Sequence, residues 1–238
     1  VGLVRPARWS GRSTGRSSHS PEEGVITDNP GRRIKLQHLD PQEPKAISED
    51  DFLAILATTD AGSVADKRDR AILCLLYDSG CRVGGLCGLE IGDLDLDAMR
   101  ALVTEKRRKT RYIMFTEPTR EALGAWLEVR PEVPGNWLFV GLSSQKPGPL
   151  LSRGVWYMLS RRAKLAGVTG PHSPHSFRHA FAINFLLDSG DIGILSRLMG
   201  HADVGITIRW YGRFVVGQLQ ELHREHSAVK RLLGGGHG

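Results

Sequence analysis

Residues 172–180, HSPHSFRHA, hold the densest polar cluster in the chain, with His172, His175 and His179 grouped around Arg178. His175 and Arg178 stand three apart, so a helix through this stretch puts both on one face. His175 and His179 stand four apart, the spacing of zinc-binding histidine pairs. Two chemistries compete for these residues. A metal centre on the three histidines would make a metal-dependent hydrolase, but the pair lacks the Glu that a metalloprotease carries beside its first His. Arg178 would also lie within a turn of any bound cation, which is unfavourable. The other chemistry uses the arginine itself. A guanidinium cannot lose its charge and offers a planar fork to phosphate oxygens, while a neutral imidazole moves protons near pH 7. His175 and Arg178 together are equipment for phosphoryl chemistry without a metal.

Working outward, the chain after this cluster reads as helical over 175–188, 192–199, 204–211 and 215–233, with Gly190 and Gly200 as breaks. On the last of these, Val215, Leu219, Leu222, His226 and Val229 make one stripe. Upstream, Ser152 is placed to cap a helix to about Ala166, closed by Gly167. Pro118 suits the first turn of a helix to about Val129, and 138–140 (LFV) is a short apolar run. Two β-like runs, 101–105 (ALVTE) and 111–115 (RYIMF), flank a basic segment and predict a hairpin. Before them come a glycine-rich stretch, an apolar helix over 66–79 ended by Gly80, and a helix over 49–58 opened by Ser48 and Asp51. The expected fold is mainly α with one small antiparallel sheet, a compact domain from 46 to 233 followed by a short tail at 234–238.

The chain has 238 residues and a formal charge of +6. Residues 1–20 carry four of those charges as Arg5, Arg8, Arg12 and Arg16 with no acid, leaving +2 for the other 218. Bulk charge is therefore a weak argument for nucleic acid, and local clusters matter more. Residues 105–111 (EKRRKTR) net +4, and so do residues 152–164 (SRGVWYMLSRRAK), where Trp156 and Tyr157 are interleaved. The first 24 residues, rich in Arg, Ser and Gly, predict disorder, and 25–45 a Pro-punctuated linker. Three cysteines, Cys74, Cys81 and Cys87, without a CxxC pair argue against a disulfide framework and fit a reducing cytoplasm. No apolar run reaches the ~18 residues that a membrane span needs.

The stretch from about Pro44 to Leu233 resembles the catalytic domain of tyrosine recombinases, the phage-integrase and Xer-like family. Asp78-Ser79-Gly80-Cys81-Arg82-Val83 matches the segment of the first catalytic arginine. Lys106 stands in the hairpin where the family keeps its lysine, with Lys109 as the competing candidate. His175-Ser176-Phe177-Arg178-His179 matches the H-x-x-R box, and Leu198-Met199-Gly200-His201 the L-G-H box. Tyr211 stands ten residues after His201 and Trp210 nine, both spacings at which the family's nucleophile occurs.

The resemblance implies that Tyr211 attacks a scissile DNA phosphate, forming a 3′-phosphotyrosyl link without metal, ATP or cofactor. Arg82 and Arg178 would clamp the non-bridging oxygens, His201 would add a hydrogen bond, Lys106 would protonate the leaving oxygen, and His175 would handle the tyrosine proton. Arg107, Arg108, Lys109, Arg111, Arg153, Arg161 and Arg162 would contact the double-stranded DNA. The C-terminal helix would couple protomers, monomeric when free, into a homo-tetramer on DNA. Two departures stand against the family pattern. Gly85 occupies a position usually held by Glu, and the linker at 25–45 reads as the remnant of a junction to a missing core-binding domain. They open the alternative of a truncated or degenerate recombinase that binds DNA without efficient cleavage.

Overall fold

The computed structural model describes residues 44–105, 109–142, 148–189 and 191–215, with His223, Arg224, Ser227 and Val229 beyond them. Lys106, Arg107 and Arg108 lie outside the described residues, as do the segments 1–24 and 25–43 and most of the expected 215–233 helix.

Helix α1 (Glu49–Ala57) starts where the Ser48 hydroxyl accepts the Asp51 amide at 3.1 Å, and three acids fill its first turn against the helix dipole. Helix α2 (Val64–Ser79) is opened by a Ser63–Asp66 capping box that the periodicity alone does not reveal. It ends at Gly80, whose φ of +56° is the left-handed conformation that glycine adopts at least cost. The apolar face of α2, with Ala71, Ile72, Leu73, Leu75 and Leu76 fully buried, is the spine of the main core. A five-residue turn of helix, α3 (Val83–Cys87), follows with Arg82 at its N-cap.

The hairpin is β2 (Arg100–Glu105) and β3 (Lys109–Met114), and a two-residue strand β1 (Leu94–Asp95) adds to β2, giving an antiparallel sheet in the order β1-β2-β3. Two residues are too few for an alternation to show, so the third strand is a product of tertiary pairing. Along β2 and β3 the period of two buries Ala101, Val103 and Ile113. That same face also carries Glu105 and Arg111.

Helix α4 (Glu117–Val129) has Pro118 in its first turn and packs Leu123 and Trp126 onto α2. Helix α5 (Ser152–Ala166) closes at Gly167 as expected, but its N-cap is Leu151, and Ser152 is its first residue. Helices α6 (Pro174–Ser189), α7 (Ile192–Met199) and α8 (Val204–Tyr211) follow, and a 3-10 turn covers Gly212–Val215. A second, smaller core forms among these last helices from Ala182, Leu186, Leu195, Met199 and Tyr211. No helix among the described residues is long and apolar enough to cross a membrane.

Candidate active site: an arginine cluster beside a buried tyrosine

Arg178 is the organising residue. Its position on the inward face of α6 leaves it 6% exposed, and its guanidinium donates to Gly80 O at 2.5 Å and to Met199 O at 2.7 Å. Those carbonyls belong to the C-cap of α2 and the last residue of α7, helix ends whose acceptors have no partner within the helix. A third donor contact runs from Nη2 to His201 Nε2 at 3.1 Å. Burial, and then the nearby Arg82 and Arg111 guanidiniums, push the Arg178 pKa down to about 10, which still leaves it charged at neutral pH.

His201 lies just past Gly200, the left-handed C-cap of α7, and its Nδ1 is 2.7 Å from Thr207 Oγ1. Since Arg178 can only donate, Nε2 accepts and Nδ1 carries the proton toward Thr207. Burial and three neighbouring guanidiniums press the His201 pKa down to about 4, so the imidazole is neutral at pH 7.

Arg82 and Arg111 complete the cluster around one carboxylate. Arg82 donates from Nη1 to Glu105 Oε2. Arg111 reaches Glu105 Oε1 from Nε at 3.2 Å and Nη2 at 3.0 Å, and donates from Nη1 to Leu198 O at 2.6 Å. Three guanidiniums and one carboxylate leave a net charge of +2, on elements as distant in sequence as α3, the hairpin and α6.

Tyr211 closes α8 and points inward, 2% exposed, while its neighbour Trp210 is 36% exposed and faces a surface cleft. The phenol is hydrogen-bonded to His179 Nδ1 at 2.6 Å. Burial, opposed by the positive charge of Arg178, pushes the Tyr211 pKa up to about 12. His175, to which the resemblance assigns the tyrosine proton, is exposed on the wall of the cleft. That cleft holds about 610 Å³ and is also lined by Lys45, Trp156, His172 and His179. The motif thus places His179, a residue outside the expected set, at the phenol. Its position one turn beyond His175 was visible in the sequence, but its partner was not.

The remaining expected residues separate. Lys109 and Arg153 are exposed. Arg111, expected to reach DNA, is turned into the arginine cluster, its side chain 14% exposed. Arg162 is corrected outright. It is 3% exposed, bonded to Asp66 and Asp69 on α2 and to Thr58 O, so its charge braces α5 against α2 and none of it is presented to a ligand. Arg161 donates to Asp69 at 3.0 Å but stays half exposed. The metal reading is also corrected. His172 Nδ1 is taken up by Gly170 O at 2.7 Å and His179 Nδ1 by Tyr211, and no three metal-ligating side chains converge among the described residues.

Comparison with known proteins decides the family. The model of the phage integrase family matches residues 45–214, which takes in every element just described from α1 to α8. The chain belongs to that family. Tyrosine recombinase XerC of Bacillus subtilis is 32% identical over 192 residues, a match that covers 78% of this chain and 62% of the relative. The chain thus spans about three fifths of that protein's length. A crystal structure of XerA recombinase superposes with a TM-score of 0.63 at 28% identity, covering 78% of this chain and 66% of that one. A post-cleavage complex of XerH site-specific recombinase on its palindromic difH substrate shares the fold, with a TM-score of 0.65 at 21% identity over 80% of this chain and 57% of that one.

Proposed function

We propose that this chain is the DNA strand-breaking and rejoining domain of a site-specific recombinase, with Tyr211 as nucleophile. The observation that carries this is the convergence of Arg82, Arg111, Arg178 and the neutral His201 from four separate elements, with a tyrosine anchored beside them. Such a cluster attracts a phosphodiester and stabilises the additional negative charge of its transition state. The Tyr211 oxygen attacks phosphorus, the P–O5′ bond breaks, and the departing oxygen takes a proton, for which Lys106 is the proposed donor. The phenolic proton passes to a histidine on α6, with His175 proposed and His179 already in contact. The phosphotyrosyl link keeps the energy of the broken bond, so a second 5′-hydroxyl reverses the step without ATP. Double-stranded DNA is the proposed substrate, with assembly into a tetramer through residues beyond 215.

A covalent-trapping experiment tests this. The chain and its Tyr211→Phe variant are incubated with nicked duplexes tiled from DNA flanking the gene, then separated on a denaturing gel. A DNA-linked band that vanishes in the variant is expected. A duplex bound by both proteins with no linked band in either would replace the strand-transfer reading with one of DNA binding alone.

A further inference from the structure

Glu105 sits in the middle of a site built to hold an anion, and nothing in the proposed chemistry uses a carboxylate there. Its place follows from strand geometry. As the last residue of β2 it shares the inward face with Val103, and its side chain is only 12% exposed. Among the described residues it is the hydrogen-bonding partner of the Arg82 guanidinium. Its other oxygen takes two N–H groups of Arg111.

Arg111 is in turn held on two sides. It donates to Leu198 O, and it lies so close over Gly200 that a Cβ there would come within 2.5 Å of its Nε. Position 85 supplies no help to Arg82, because Gly85 has no side chain, and a Cβ there would meet Val103 at 3.4 Å. The order of restraint is therefore α7 to Arg111, Arg111 to Glu105, and Glu105 to Arg82.

We infer that Glu105 is a positioning residue, which orients Arg82 toward the phosphate and lowers the charge of the cluster from +3 to +2. One N–H of Arg82 is used by the carboxylate, which leaves four of the five guanidinium N–H groups for phosphate oxygens. The same negative charge repels the substrate phosphate, so Glu105 weakens ground-state binding while aligning the group that acts in the transition state. This inference rests on the proposed strand transfer for its kinetic half only.

The test is Glu105→Gln in the full chain, which keeps the shape and removes the charge. The variant should bind a 30-base-pair duplex roughly threefold more tightly at low salt, because one more phosphate is neutralised. Its rate of covalent complex formation should fall by roughly tenfold or more, because Arg82 loses its alignment. Thermal unfolding checks that the variant is folded, and nitrogen-15 NMR of the arginine Nε–H groups should show Arg111 changed. A variant whose affinity and rate fall together would make Glu105 a mere structural strut, and one whose affinity and rate both rise would make it a simple block. Either result overturns the inference. If the unmodified chain forms no covalent complex, strand transfer itself fails, and Glu105 is then judged by affinity and NMR. Unchanged affinity with an unchanged Arg111 signal overturns it.

Discussion

The Tyr211 hydroxyl and His179 Nδ1 are 2.6 Å apart, and this bond ties the candidate nucleophile to α6 inside a small apolar core. Burial pushes the phenol up to about 12, well above its ordinary value near 10. Native-state stability from this neutral phenol is fully present below pH 10 and is lost as pH rises through 12. Burial also raises Tyr77, so the 295-nm absorbance titration of the chain should show late-titrating tyrosines beyond pH 10, and the Tyr211→Phe variant should lose the one that appears towards pH 12. The variant also leaves His179 without its partner and should cost about 1–2 kcal/mol in chemical denaturation.

His201 carries the opposite pH signature. Its pKa falls from an ordinary 6.5 to about 4 because burial and the charges of Arg178, Arg82 and Arg111 disfavour the imidazolium. Its contribution is present above pH 6.5 and is lost as pH falls through 4. Proton NMR of the His201 ring should show a neutral imidazole at pH 6, and His201→Gln should flatten the decline in stability between pH 6.5 and 4.

Two glycines should respond in opposite directions to alanine. Gly200 combines a φ of +65° with the guanidinium of Arg111 packed over it, so Gly200→Ala strains the backbone and displaces Arg111. A loss of about 2 kcal/mol is expected, together with weakened binding of the proposed DNA substrate. Gly84 sits in α3 with open space where its Cβ would lie, and Gly84→Ala should gain up to about 1 kcal/mol. Urea unfolding of both variants checks the pair.

Asp69 is fully buried and accepts from Arg68, Arg161 and Arg162. Removing its charge leaves the buried Arg68 guanidinium without a carboxylate and Arg162 with Asp66 alone, so Asp69→Asn should destabilise the chain by about 3–5 kcal/mol. Calorimetry should register this as a fall in Tm.

The sequence by itself determined the local features. The 3.6-residue period placed α1, α2 and α4 to α8 to within a residue or two but not the short α3, Gly80, Gly167 and Gly200 ended three of them, and the H-x-x-R spacing put His175 and Arg178 on one helix. These are properties of neighbouring residues, which local backbone geometry fixes. Strand alternation also contained the orientation of Glu105, which shares the parity of Val103 along β2, and of Arg111, which shares that of Ile113 along β3. What the alternation lacked was the identity of their partners. Tertiary structure alone decided that Arg162 meets Asp66 and Asp69, that His179 rather than His175 holds Tyr211, and that α7 ends against two arginines. Each of these contacts joins residues from elements far apart in the chain. A charged residue in a basic run looks the same whether it faces solvent or a buried carboxylate, and only packing distinguishes the two.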